Sequence, residues 1–180
     1  MRITKENTVG LVVDIQERLF PHIHEHDTLA KNCAILIGGL QALDLPVVVA
    51  QQYTKGLGET IEPVKSLFEN FDHIEKRDFS CCDEPAIADK MKELRAKNII
   101  ICGIETHVCV LQTAVDLKEA GLNPIVVMDC VSSRSTTNYD LAKERFRYEG
   151  IMMTSYESIL FELTRSSGAA EFKAISKLVK

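Results

Sequence analysis

Hydrophobic residues fall into two alternating patterns along this chain. Continuous apolar runs occupy Thr8–Asp14, Pro46–Ala50, Asn98–Gly103, Pro124–Asp129 and Ile151–Thr154, as expected of strands buried on both faces of a parallel sheet. A shorter and more polar run, His73–Arg77, reads as an edge strand. Between these runs apolar residues recur at three- and four-residue steps, the helical period. Leu29, Cys33, Leu36, Ile37, Leu40 and Leu43 predict a helix with Asp27 as its N-cap. Further helices are predicted over Glu62–Glu69, over Ala86–Ala96 behind Pro85, and from beyond Gly103 to Gly121. Three more are predicted over Asn138–Tyr148, closed by Gly150, and over Ile159–Thr164 and Ala169–Leu178.

Six strands alternating with helices, with no linker or repeat between them, predict one α/β domain over residues 1–180. Right-handed crossovers make it a doubly wound six-stranded parallel sheet with helices on both faces, most simply in the order 3-2-1-4-5-6. Strands one and four are then neighbours, and ligands of open α/β sheets bind at such a switch point, outside the carboxyl ends of the strands. Asp14 closes strand one. Cys109 follows strand four in the strand–turn–helix stretch Ile99–Ala114. The topology therefore sets a carboxylate beside a thiol.

Composition narrows the class. The chain is 46% hydrophobic and 26% charged, ordinary for a globular domain. A net charge of −5 without a basic stripe argues against nucleic acid as a partner. No apolar run approaches the roughly 20 residues that span a bilayer, and the first residues lack a signal-peptide core. The expectation is a cytoplasmic protein with a small-molecule substrate. Of the six cysteines, Cys33, Cys102 and Cys130 fall on apolar faces and read as core. Cys81 and Cys82 lie in a polar loop, which admits either a loop beside the site or an incidental pair.

Cys109 falls in or near the first turn of its helix, among backbone N–H groups without intrahelical partners and at the positive end of the helix dipole. Both features favour thiolate over thiol. Asp14 supplies a proton acceptor for it, and Lys76, at the end of strand three, supplies a cation that balances the two. Gln16, Gln52, Tyr53 and Phe79 stand in the loops after strands one to three and are candidates for the pocket wall. His22, His24 and His26 are alternately spaced in a loop, a pattern that does not match metal-ligand spacing.

These residues carry a resemblance that covers nearly the whole chain. Val12-Val-Asp14-Ile-Gln16, Glu75-Lys76, Gly103-Ile-Glu-Thr-His-Val-Cys109-Val and Val131-Ser-Ser-Arg134 are similar to the motifs of the isochorismatase-like cysteine hydrolases. The loop Gln51–Gly58 resembles that of their small isochorismatase-domain group. The resemblance implies Asp14 as general base, Lys76 as its electrostatic partner and Cys109 as nucleophile. It also implies a cis peptide at Ile104–Glu105 that aims the N–H groups of Glu105 and Cys109 at an oxyanion. The chain departs from nicotinamidases, which carry an Asp and histidines after strand two where this sequence has Gln51-Gln-Tyr53, so neither metal nor cofactor is expected. It departs also from isochorismatases that cleave a vinyl ether, which do without the cysteine. The implied reaction is hydrolysis of the C–N bond of a small amide, imide or carbamoyl compound through a thioester, in a homo-oligomer. Two other readings stay open: an interaction or regulatory module with a vestigial site, and a peroxide-sensing thiol.

Overall fold

The computed structural model describes residues 2–180. Six strands form one sheet: β1 (Thr8–Val13), β2 (Val47–Gln52), β3 (Ile74–Lys76), β4 (Asn98–Ile104), β5 (Asn123–Ser132) and β6 (Met152–Thr154). Their order is 3-2-1-4-5-6 and every pairing is parallel. The period-two alternation of strand side chains divides β4 between the two faces. Ile100 and Cys102 join the core under α1 (His26–Ala42), α7 (Tyr156–Thr164) and α8 (Phe172–Leu178). Ile99 and Ile101 join the core under α4 (Pro85–Glu93), α5 (Leu111–Glu119) and α6 (Thr136–Glu149). Two short helices, α2 (Thr54–Leu57) and α3 (Glu62–Lys65), fill the connection from β2 to β3.

Some boundaries differ from the sequence reading, each for a local reason. Asp27 lies inside the first turn of α1 and Glu25 is the N-cap, so its carboxylate complements the helix dipole rather than capping. The helix expected over Glu62–Glu69 is one turn long, and a second turn forms where only loop was expected. Strand β5 runs three residues past Asp129. Beyond a register shift between Ile101 and Gly103, Val131 and Ser132 pair with Gly103 and Ile104. The apolar faces of α7 and α8 pack inward, with Ile159, Leu160, Leu163 and Ile175 in the core beneath α1.

One glycine sets how closely the central strands approach. Gly103 has φ +122°, and a Cβ there would lie 2.0 Å from the Val13 carbonyl oxygen. No other residue fits between β1 and β4 at this level, immediately before Asp14 on one strand and the turn to Cys109 on the other.

Candidate active site

Asp14 leaves β1 with φ +52°, a left-handed conformation that Asp tolerates because its short side chain bonds locally. It is fully buried. Its Oδ2 accepts a 2.8 Å hydrogen bond from the Lys76 Nζ, while its Oδ1 has no hydrogen-bond partner. Lys76, the last residue of β3, is fully buried too. Its ammonium also donates to Gln52 Oε1 at 2.6 Å and to the carbonyls of Phe79 and Asp78 at 3.1 and 3.2 Å. Burial would lower its pKa, but the neighbouring Asp14 carboxylate, through its charge and its hydrogen bond, leads the effects that outweigh burial, and the net shift is upward. The ammonium therefore keeps its proton and is spent entirely on the protein.

Gln16 and Gln52 hold this pair in place. Gln16 is fully buried; its Oε1 accepts from the Gln52 N–H at 2.7 Å, and its Nε2 donates to the carbonyls of Gln52 and Gly58 at 3.0 and 2.8 Å. One side chain two residues beyond Asp14 thus clamps the end of β2 to the end of β1. Gln52 then uses its own Nε2 on the Arg77 carbonyl and its Oε1 on Lys76. Both amides make these hydrogen bonds within the protein, to groups at the ends of β1, β2 and β3. Tyr53 and Phe79, in the segments after β2 and β3, are 37% and 55% exposed, and the Arg77 guanidinium lies 4.0 Å from the centre of the Tyr53 ring.

On the other side of the switch point the Ile104–Glu105 peptide is cis. Thr106–Val110 then makes a π-helical turn before α5 begins at Leu111, so Cys109 precedes the α-helix proper. The Glu105 carboxylate is buried and accepts from the Arg134 N–H at 2.9 Å and from Arg134 Nε at 3.1 and 3.2 Å. His107 Nδ1 lies 2.9 Å from the buried Ser133 Oγ, and its Nε2 lies 3.3 Å from Asn138 Nδ2. Sequence reasoning passed over this bracing; its one signal is Arg134 at the end of the Val131–Arg134 motif.

Cys109 is 7% exposed, and its ionisation runs against the expectation of a lowered thiol pKa. Burial, then the Asp14 charge, push it up strongly; Lys76 opposes them only in part. The orphan N–H groups and helix dipole are overridden by desolvation and an adjacent anion. Asp14 itself is raised above the ordinary carboxylate value, by burial first, with Lys76 and the Cys109 thiol pulling it back. The resting pair is a neutral thiol beside a carboxylate held by an ammonium. Iodoacetamide labelling of Cys109 in the free protein, followed by peptide mass spectrometry, is accordingly expected to be slow at pH 7 and still accelerating above pH 9. A plateau below pH 8 would contradict this charge state.

The Cys81–Cys82 loop lies beside the site. The Cys81 N–H donates to Thr113 Oγ1 at 2.9 Å, and burial, then the Asp14 charge, push its thiol up to about 12. Cys33, Cys102 and Cys130 are buried in the core. His26 packs edge-on against Phe20, and His24 is half-exposed. Among the described residues no group of three or more His, Cys, Asp or Glu side chains is arranged to hold a metal ion, and no helix is long and apolar enough to cross a membrane.

With the carboxylate, the ammonium and the thiol meeting across β1, β3 and β4, the comparisons with known proteins become informative. The Isochorismatase domain family matches residues 8–158. The chain belongs to the isochorismatase family. Isochorismatase domain-containing protein 2 of Danio rerio is 32% identical over 99% of this chain and 89% of its own length. A secreted isochorismatase effector of Phytophthora sojae is 36% identical over 99% and 87%. Among solved structures, the MAR1 ribonuclease of Caenorhabditis elegans superposes with a TM-score of 0.94 at 37% identity, covering 99% of this chain and 92% of that one. The YcaC product of Escherichia coli, described as an octameric hydrolase of unknown specificity, shares the fold at 23% identity and a TM-score of 0.89, over 98% and 90% of the two chains. An isochorismatase-family hydrolase fold is thus established for this chain.

Proposed function

We propose that this isochorismatase-family protein hydrolyses the C–N bond of a small amide, imide or carbamoyl compound through a Cys109 thioester. One observation carries the reading. Asp14 is held by Lys76 through one oxygen while the other has no partner, and the thiol beside it keeps its proton at rest. Asp14 takes that proton as the sulfur attacks the substrate carbonyl, so the thiolate forms only where it is used. The N–H groups of Glu105 and Cys109 donate to the tetrahedral oxyanion. Asp14 returns the proton to the departing nitrogen, the C–N bond breaks and the acyl group stays on sulfur. Water, deprotonated by the same carboxylate, then attacks the thioester and releases the acid and the thiol. The raised Asp14 pKa suits a group that both accepts and returns a proton, and Lys76 keeps it ionised between these steps.

The free thiols fit a reducing, cytoplasmic setting, although the Phytophthora relative is described as secreted. The octamer described for YcaC supports a homo-oligomer. The test is a hydrolysis screen of small amides, imides, ureas and carbamoyl compounds, with an RNA oligonucleotide included because of the name borne by the Caenorhabditis protein. Release of ammonia or amine that disappears in Cys109→Ala is expected. Cleavage of RNA alone would overturn the amide reading. Turnover of nothing in the panel would leave the interaction-module reading standing in its place.

A further inference from the structure

Buried polar atoms in folded proteins nearly all find a hydrogen-bond partner, and each one that does not calls for an explanation. Among the described residues of this chain two buried side-chain oxygens have none: Asp14 Oδ1 and Thr106 Oγ1. The first has its use in the mechanism above. The second has no assigned use. Thr106 is fully buried, opens the π-helical turn that carries Cys109 three residues later, and directly follows Glu105.

Its neighbours on both sides are tied down. Glu105 is held through its carboxylate by Arg134, and His107 by Ser133 and Asn138, and these bonds resist any shift of the turn that would bring Thr106 to a partner. Valine has the same shape and would carry no desolvation cost at this position. A hydroxyl placed there without a partner is explained by an atom that arrives with the substrate.

We propose that the Thr106 hydroxyl is a third donor to the substrate's carbonyl oxygen, beside the N–H groups of Glu105 and Cys109, so that Thr106 is a catalytic residue. The assignment rests on the thioester reading. The hydroxyl gives up no proton: its O–H donates to the oxyanion as negative charge builds there and relaxes when the carbonyl re-forms.

Thr106→Val and Thr106→Ser, assayed on any substrate whose hydrolysis depends on Cys109, decide it. Thr106→Val is expected to lower kcat by about 100-fold, the size of effect seen when one oxyanion donor is removed, with KM changed less than threefold. Its Tm should equal or exceed that of the parent, because an unpaired hydroxyl has been removed. Thr106→Ser should recover kcat to within a few-fold. A parental kcat in Thr106→Val would overturn the proposal. So would a Tm lowered by several degrees, which would mean that the hydroxyl is bonded within the fold. Hydrolysis persisting in Cys109→Ala would sink the thioester reading itself, whereas Cys109-dependent hydrolysis untouched by Thr106→Val sinks this assignment alone.

Discussion

Lys76→Met is expected to lower the stability of the fold by about 3–5 kcal/mol at neutral pH, the cost of leaving one member of a buried ion pair without its partner. Neither side chain of the pair has measurable exposure, so solvent does not soften the loss. The effect depends on pH with a definite sign. The folded pKa of Asp14 is already raised by burial, and removing Lys76 raises it further. A carboxyl group with a raised folded pKa carries no penalty below its unfolded value near 3.8 and accumulates one as pH rises through the folded pKa. The deficit should therefore be greatest at pH 7–8 and shrink toward pH 4. Urea unfolding at a series of pH values measures it, and the double variant Lys76→Met, Asp14→Asn should regain much of the lost stability because no charge is left unpaired. A single variant as stable as the parent at pH 7.5 would show that Asp14 is neutral at rest. Activity should fall with the same change, since the Asp14 pKa then rises further and less of the group is ionised to take a proton from Cys109.

The largest effect on turnover is expected from Cys109→Ala. Losing the proposed nucleophile removes the covalent route altogether, and a decrease of about 10⁴-fold or more in kcat is the scale for such groups. The fold should lose no more than roughly 1 kcal/mol, because only one small buried thiol is removed and no charge is stranded. Single-turnover assays with thermal unfolding alongside read both numbers. Near-parental kcat in this variant would eliminate a thioester intermediate.

What could be read from the sequence follows from how local each signal is. Strands buried on both faces leave unbroken apolar runs, and crossover handedness allows few orders, so the sheet and the meeting of Asp14 with Cys109 followed directly. The interruption of β5 by Asp129 hid its continuation to Ser132, because pairing beyond a bulge with β4 is a property of two strands, not one. The inward packing of α7 was signalled only by Gly38-Gly39 within α1: a Cβ at Gly39 would lie 2.5 Å from Leu160. Gln16 and Gln52 flank the site in the sequence, but the bonds that fix them run to partners 36 and 24 residues away in the chain and are not legible there. The ionisation of Cys109 was misjudged for a related reason. The helix terminus is visible in the sequence, whereas desolvation and the distance to Asp14 are not.

The contact of Gly103 with Val13 bears on how this scaffold diversifies. With the two central strands locked at backbone separation, Asp14 and the turn that carries Cys109 share one frame that a changed side chain in a loop does not disturb. The segments after β2 and β3, which carry Tyr53 and Phe79, are free of that constraint at their exposed tips. Selection can therefore reshape what enters the cleft while leaving what happens there unaltered, and substrate range should drift among such chains faster than reaction type.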